Sequence, residues 1–236
     1  MRVETGIKGL DEMLNGGFLP GKVMLVSGPA GTGKTTFAMH FVFAGTKKGE
    51  HCLFITLEQN KRKMIEDMLS VGMDVKGNRK LTIIGGSLAD IMRFQQKVKA
   101  KPQDFLDEIA EIVKKNSVKR VAIDSSNLFL MLFKNDEERR NALLALAEML
   151  SSLGCTTLLT SEVRNGTRDM SWYGFEEFVV DGVITLTNDI SFDNYYKNAI
   201  AVRKMRGSSH NKSVVEYKIT DKGIVVFPDS AIKRRV

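Results

Sequence analysis

Residues 23–41 read VMLVSGPAGTGKTTFAMHF. An apolar run of strand length, VMLVS at 23–27, stops at a glycine, and a helical pattern resumes beyond it with Phe37, Phe41 and Phe43 suited to packing on a sheet. Between them Gly28 to Thr35 spell GPAGTGKT, which matches G-x-x-x-x-G-K-[ST] in the strand–loop–helix context that motif requires. The glycines permit positive φ, so successive backbone N–H groups can converge on phosphate oxygens at the positive end of the helix. Gly28, Ala30, Gly31, Thr32, Gly33, Lys34, Thr35 and Thr36 are therefore the predicted phosphate cradle. Lys34 would reach the β- and γ-phosphates, and Thr35 would place its hydroxyl on Mg²⁺, the usual counter-ion of a triphosphate.

Outward from this segment, buried strands and helices alternate. CLFITL at 52–57, LTIIG at 81–85, RVAID at 120–124 and CTTLLTSE, finishing near residue 161, read as strands. Between them lie a charged helix from about Lys61 to Leu69, a helix with Phe105, Ile109, Ile112 and Val113 on one face, and a long helix over 136–153. The pattern predicts an α/β fold with a mostly parallel twisted sheet and helices on both faces. After the polar loop VRNGTRDMSWYG come GVITLT, NAIAVRKM, VVEYKIT and GIVVF, separated by short turns. They predict an antiparallel C-terminal extension of the same sheet. No internal repeat or linker is visible, and 236 residues fit a single domain over 1–236.

Ligands in open α/β sheets sit at the carboxyl ends of the strands, so acids delivered there are the candidates for chemistry. RVAID ends in Asp124, the second metal group beside Thr35. CLFITL delivers Glu58 at the same edge, where it could orient or deprotonate an attacking water. The bland alternatives are a capping Asp and a first-turn Glu favoured by the next helix dipole. Ser161 and Glu162, closing CTTLLTSE, are weaker candidates for sensing a γ-phosphate.

The composition is 43% hydrophobic and 27% charged, with a net charge of +7. A chain of this kind folds around a sizeable core, and its basic balance tolerates an acidic partner without requiring one. Arg93, Lys97, Lys99 and Lys101 form the densest basic cluster. No window approaches the ~18 apolar residues of a membrane span, and MRVETGIKG has no apolar signal-peptide core. A cytoplasmic protein without membrane contact is expected. Cys52 and Cys155 have no metal-ligand spacing and read as reduced core residues, while His40 and His51 read as surface or helix residues.

These features together resemble the KaiC-like branch of the RecA and RadA superfamily of P-loop ATPases. The resemblance spans nearly the whole chain. It rests on TGIKGLDEMLNGG before the loop, on FITLEQ and AIDS, and on YGFEEFVVDGVITL and KMRGSSHNKSVVEYKITDKGIVVFP at the end. It implies ATP or ADP with Mg²⁺, and a homo-oligomeric ring, most often a hexamer, in which Lys204 and Arg206 reach the γ-phosphate of a neighbouring subunit. Their i, i+2 spacing on a strand points both side chains to one face. The same resemblance places Met205, Ser208, His210, Thr220 and Asp221 around the nucleotide and Ser70 near the base. One departure stands out: many relatives carry a second acid after the catalytic glutamate, and this chain has Gln59.

Two functions compete. One is a ring ATPase whose nucleotide state switches a protein partner. The other is a recombinase-like protein on single-stranded DNA, for which Arg164, Arg168, Trp172 and Tyr173 combine cations with aromatics in one loop. Subunit packing is the plainer role for that loop. A small-molecule kinase is disfavoured, because the C-terminal strands supply neither a lid nor an acceptor pocket. The apolar run LFLMLF at 128–133 reads as core or subunit interface.

Overall fold

All six residues of β1 (Val23–Gly28) are buried, as a strand covered on both faces must be. The computed structural model describes residues 1–85, 92, 96, 102–163, 169–190 and 196–231. In chain order the described elements are α1 (Leu10–Met13), β1, α2 (Lys34–Lys47), β2 (His51–Thr56), α3 (Lys61–Ser70), β3 (Leu81–Gly85), α4 (Pro102–Asn116) and β4 (Val118–Asp124). They continue with α5 (Ser126–Leu130), α6 (Asp136–Ser152), β5 (Thr156–Glu162), α7 (Glu176–Val179), β6 (Gly182–Ile190), β7 (Tyr196–Met205), β8 (Val215–Thr220) and β9 (Gly223–Ala231).

The strands form one sheet in the order β3-β2-β4-β5-β1-β6-β7-β8-β9. β3 through β6 in that order are parallel, and β7, β8 and β9 attach antiparallel. The fold is thus the mixed α/β sheet with an antiparallel extension that the sequence pattern predicts.

Strand alternation distributes the core over two faces. Met24 and Val26, Cys52 and Phe54, Ile184 and Leu186 pack with Phe37 and Phe41 of α2 and with Met64 and Met68 of α3. Val23 and Leu25, Leu53 and Ile55, Val121 and Ile123 pack on the other face with Phe105 and Ile109 of α4 and Leu143, Leu146 and Leu150 of α6. Of the run 128–133, Phe129, Leu130 and Phe133 join that second core and Met131 is exposed. Cys52 and Cys155 are buried and free.

Of the two positions expected for His40, surface or helix, the structure shows the helix. It lies on α2, is 8% exposed, and its Nε2 accepts from the Ile224 N–H at 2.9 Å. The C-terminal hairpin buries it: β9 packs against α2. Burial, assisted by the Lys47 charge, pushes the His40 pKa down to about 4.

Candidate functional site

Register fixes which ends meet. Thr56 of β2 lies opposite Asp124 of β4, and Gly28 of β1 lies opposite Glu162 of β5. The loop after Gly28, Glu58, Asp124 and Glu162 therefore share the carboxyl edge of the parallel strands. Gly31 and Gly33 adopt φ of 80° and 82°. A Cβ on Gly33 would approach the Ile219 Cδ1 to 2.6 Å, and the positive φ itself favours glycine there.

Asp124 is 2% exposed and is held from two sides. Thr35 Oγ1 donates to its Oδ2 at 2.8 Å and Thr160 Oγ1 donates to its Oδ1 at 2.5 Å. Burial raises its pKa to about 6, the hydroxyl bonds oppose that shift, and the nearby Glu58 charge adds to it. An oxygen pair made of a hydroxyl and a desolvated carboxylate is what a hard divalent cation stabilises, so Thr35 and Asp124 fit Mg²⁺. Among the described residues no group of three or more His, Cys, Asp and Glu side chains could hold a metal by itself.

Glu58 follows β2 and is exposed, and its Oε1 accepts a short hydrogen bond from the Ser125 hydroxyl, one residue beyond Asp124. Its backbone is tethered on the N-terminal side, where the Leu57 N–H donates to the Asp124 carbonyl at 2.7 Å. On the C-terminal side the Gln59 N–H donates to Thr56 Oγ1, and the Gln59 side-chain amide donates to Asp67 of α3. Gln59 thus faces a carboxylate that an acid at this position would repel, which gives the departure from the family pattern a local reason.

Lys34 is 7% exposed. Its Nζ donates to the Pro29 carbonyl at 2.9 Å and pairs with Glu162 Oε1 at 2.6 Å. Thr32 Oγ1 also donates to the Pro29 carbonyl, at 2.8 Å, which tightens the loop. Ala30 and Gly31 are exposed at the loop's outer rim, and Thr36 lies partly buried in the first turn of α2.

The residues predicted to surround the nucleotide do not gather in one place. Thr220 and Asp221 form the β8–β9 turn on the side of the loop, because Tyr217 OH donates to the Thr32 carbonyl at 2.6 Å. Ser70, exposed at the end of α3, is near the same turn: a Cβ on Gly72 would lie 2.8 Å from the Asp221 carbonyl oxygen.

Lys204, Met205 and Arg206 lie at the other end of the sheet. Met205 pairs with Gly182, which pairs with Met24 at the start of β1. Four residues of strand, roughly 13 Å, separate that level from Gly28. There Lys204 Nζ donates to the carbonyls of Glu177 and Val180 at 2.6 and 2.7 Å, and Arg206 donates to the Phe178 carbonyl at 2.9 Å. Burial and the adjacent Arg206 cation hold the Lys204 pKa below its usual value. Ser208 accepts from Arg2 at 2.8 Å, while His210 Nδ1 lies 3.1 Å from the Asn211 carbonyl.

Three participants carry no local sequence signal. Thr160 sits inside an apolar strand, Ser125 follows the acid, and Tyr217 reads as an ordinary strand aromatic. Only the sheet order brings them to the loop and the carboxylates. In the loop considered for DNA, Arg164 and Arg168 lie outside the described residues, as do Arg93, Lys97, Lys99 and Lys101. Trp172 is 39% exposed. The Tyr173 ring is already engaged, stacked on Phe175 at 5.8 Å and covered by the Arg139 guanidinium at 4.8 Å. That leaves it a poor platform for a base and weakens the DNA reading. No helix among the described residues is long and apolar enough to cross a membrane.

A parallel sheet with a glycine loop at its carboxyl edge and an antiparallel tail defines a RecA-like α/β fold, and comparison with known proteins places the chain within it. The family described as "ATPase: KaiC" matches residues 3–231, and the chain belongs to that family of nucleotide-binding ATPases. A UPF0273 protein of Pyrococcus horikoshii is 34% identical, with 99% of this chain and 96% of that protein covered. The circadian clock oscillator protein KaiC of Parathermosynechococcus lividus is 31% identical over 98% of this chain and 43% of its own length. Among solved structures, a KaiC-like protein from Pyrococcus horikoshii superposes with a TM-score of 0.83 at 34% identity, covering 97% of this chain and 99% of that one.

Proposed function

We propose that this protein hydrolyses ATP with Mg²⁺ in sites completed between subunits of a homo-oligomeric ring, with six subunits the expected number, and that its nucleotide state switches a protein partner. The observation that carries this reading is the division of the predicted nucleotide contacts between opposite ends of one sheet. Lys204 and Arg206 stand roughly 13 Å of strand away from their own phosphate loop, so they serve a phosphate only by meeting a neighbour's loop. A head-to-tail contact of this kind gives a ring when its rotation closes.

In each site the loop 28–36 cradles the phosphates, and Lys34 leaves Glu162 for the β- and γ-oxygens. Thr35 and Asp124 would hold Mg²⁺, which would supply neutralising charge on the phosphates. Glu58, aimed by the Ser125 hydroxyl, orients and deprotonates the attacking water. Arg206, with Lys204 beside it, stabilises the charge spreading over the γ-oxygens. The buried free thiols of Cys52 and Cys155 accord with a reducing, cytoplasmic compartment.

Mixing variants tests the division. Arg206→Ala keeps a complete loop and Glu58, and Glu58→Gln keeps a complete finger. Each alone is expected to lose about 10³-fold in turnover. Mixed with subunit exchange verified by mass spectrometry, they should regain part of the activity. Absence of recovery would mean that the finger does not act across a boundary.

A further inference from the structure

Tyr217 is one of the largest fully buried side chains, yet it carries a hydroxyl. That hydroxyl donates to the Thr32 carbonyl at 2.6 Å, across 185 residues of sequence. Burial without a charged neighbour pushes its pKa well above that of a free tyrosine, so the group stays a donor throughout the working pH range.

The bond has a consequence on the other side of the same peptide. The Thr32–Gly33 peptide is planar and trans, so its C=O and N–H point in opposite directions. With the carbonyl bonded to a buried hydroxyl, the Gly33 N–H points away from that hydroxyl. Gly33 itself is wedged at φ 82° against Ile219 of the same strand. The hairpin is fastened a second time to the helix after the loop, through the Ile224 N–H and His40 Nε2.

We propose that Tyr217 is a positioning residue for phosphate binding: its hydroxyl fixes the Thr32–Gly33 peptide so that the Gly33 N–H is presented to the bound phosphates. The inference rests on reading loop 28–36 as the phosphate cradle. Without the hydroxyl the peptide is free to rotate, and a carbonyl oxygen then faces the phosphates in a fraction of molecules. Nucleotide affinity falls by that fraction while the fold persists.

The test compares equilibrium binding of a fluorescent ADP analogue with Mg²⁺, and melting without nucleotide, for four proteins: wild type, Lys34→Ala, Tyr217→Phe and Tyr217→4-aminophenylalanine. The expected result is about tenfold weaker binding for Tyr217→Phe, with a melting temperature within a few degrees of wild type. The aminophenylalanine variant, which returns a donor to the same place, should recover most of the affinity. Should Tyr217→Phe fail to fold, Tyr217→4-fluorophenylalanine replaces it, since it fills the space without donating. Failure of that protein to fold as well would overturn the proposal, because the hydroxyl would then be holding the fold instead of the peptide.

Wild-type affinity in the Phe variant would overturn the proposal alone, leaving the cradle in place. Equal binding by wild type and Lys34→Ala would instead remove the cradle reading and this proposal with it.

Discussion

The two ends of the sheet treat their cations differently. At the carboxyl edge Lys34 is buried, held by the Pro29 carbonyl and the Glu162 carboxylate, and surrounded by groups delivered by four strands. At the amino edge Lys204 and Arg206 donate to backbone carbonyls of residues 177–180, with the Asp181 and Glu177 charges acting on Lys204, and Arg206 is exposed. Arg206, held by a carbonyl dipole at the surface, is oriented without being neutralised there. In the proposed mechanism one end encloses the nucleotide and the other is presented to a neighbour's. An isolated chain is expected to bind nucleotide without turning it over efficiently.

The largest effects belong to the enclosing end. Lys34→Ala should abolish ATP binding, because it removes the charge that faces the phosphates and leaves Glu162 without its counter-ion. Glu58→Gln should bind ATP as wild type does while turnover falls about 10²- to 10⁴-fold. Binding of a labelled ATP analogue beside a phosphate-release assay separates the two. Parental turnover in Glu58→Gln would assign the base elsewhere.

A smaller effect concerns what the enclosing end costs the fold. The pKa of Asp124 is raised to about 6 from 3.8, so the folded state holds a proton that the unfolded state has released between those values. Stability therefore declines as pH rises through that window and stays lower above it. Asp124→Asn should stabilise the nucleotide-free protein by about 1–2 kcal/mol at pH 8, with the gain vanishing near pH 4. Urea unfolding at the two pH values measures this, and the same variant should lose its Mg²⁺ dependence of nucleotide binding.

A second effect on stability runs in the opposite direction. The His40 pKa is lowered from 6.5 to about 4, so the unfolded state binds the extra proton in that range. Its contribution is complete above pH 6.5 and is lost as pH falls toward 4, by up to about 3 kcal/mol. His40→Gln keeps an acceptor for the Ile224 N–H and should flatten that acid slope, read from melting temperatures between pH 4 and 7. An unchanged slope would place the titrating group elsewhere than beneath the hairpin.

Much of the fold was legible because strand burial and loop chemistry are local. The buried runs around 23–28, 51–56 and 118–124, and the glycines of 28–33, announce a parallel sheet and a phosphate loop without any partner in view. Asp124 and Glu58 could be named because strand ends in such a sheet share one edge. The position of the finger was not legible in the same way. The i, i+2 spacing of Lys204 and Arg206 shows that they share a face, but not which edge of the sheet they occupy.

That edge follows from β7 running antiparallel to β6 in register with the start of β1, a pairing set by long-range hydrogen bonds. The same holds for Thr160 on Asp124, Tyr217 on Thr32 and Ile224 on His40. Each joins residues whose own neighbours in sequence carry no trace of the contact. The sequence by itself determined the element types, the phosphate loop and the acids at strand ends, since these depend on local conformation and periodicity. Only the tertiary structure decided that the cations lie at the far end of the sheet from their own loop and that a buried tyrosine bonds one of the loop's carbonyls, because strand order and register depend on side chains packed from distant parts of the chain.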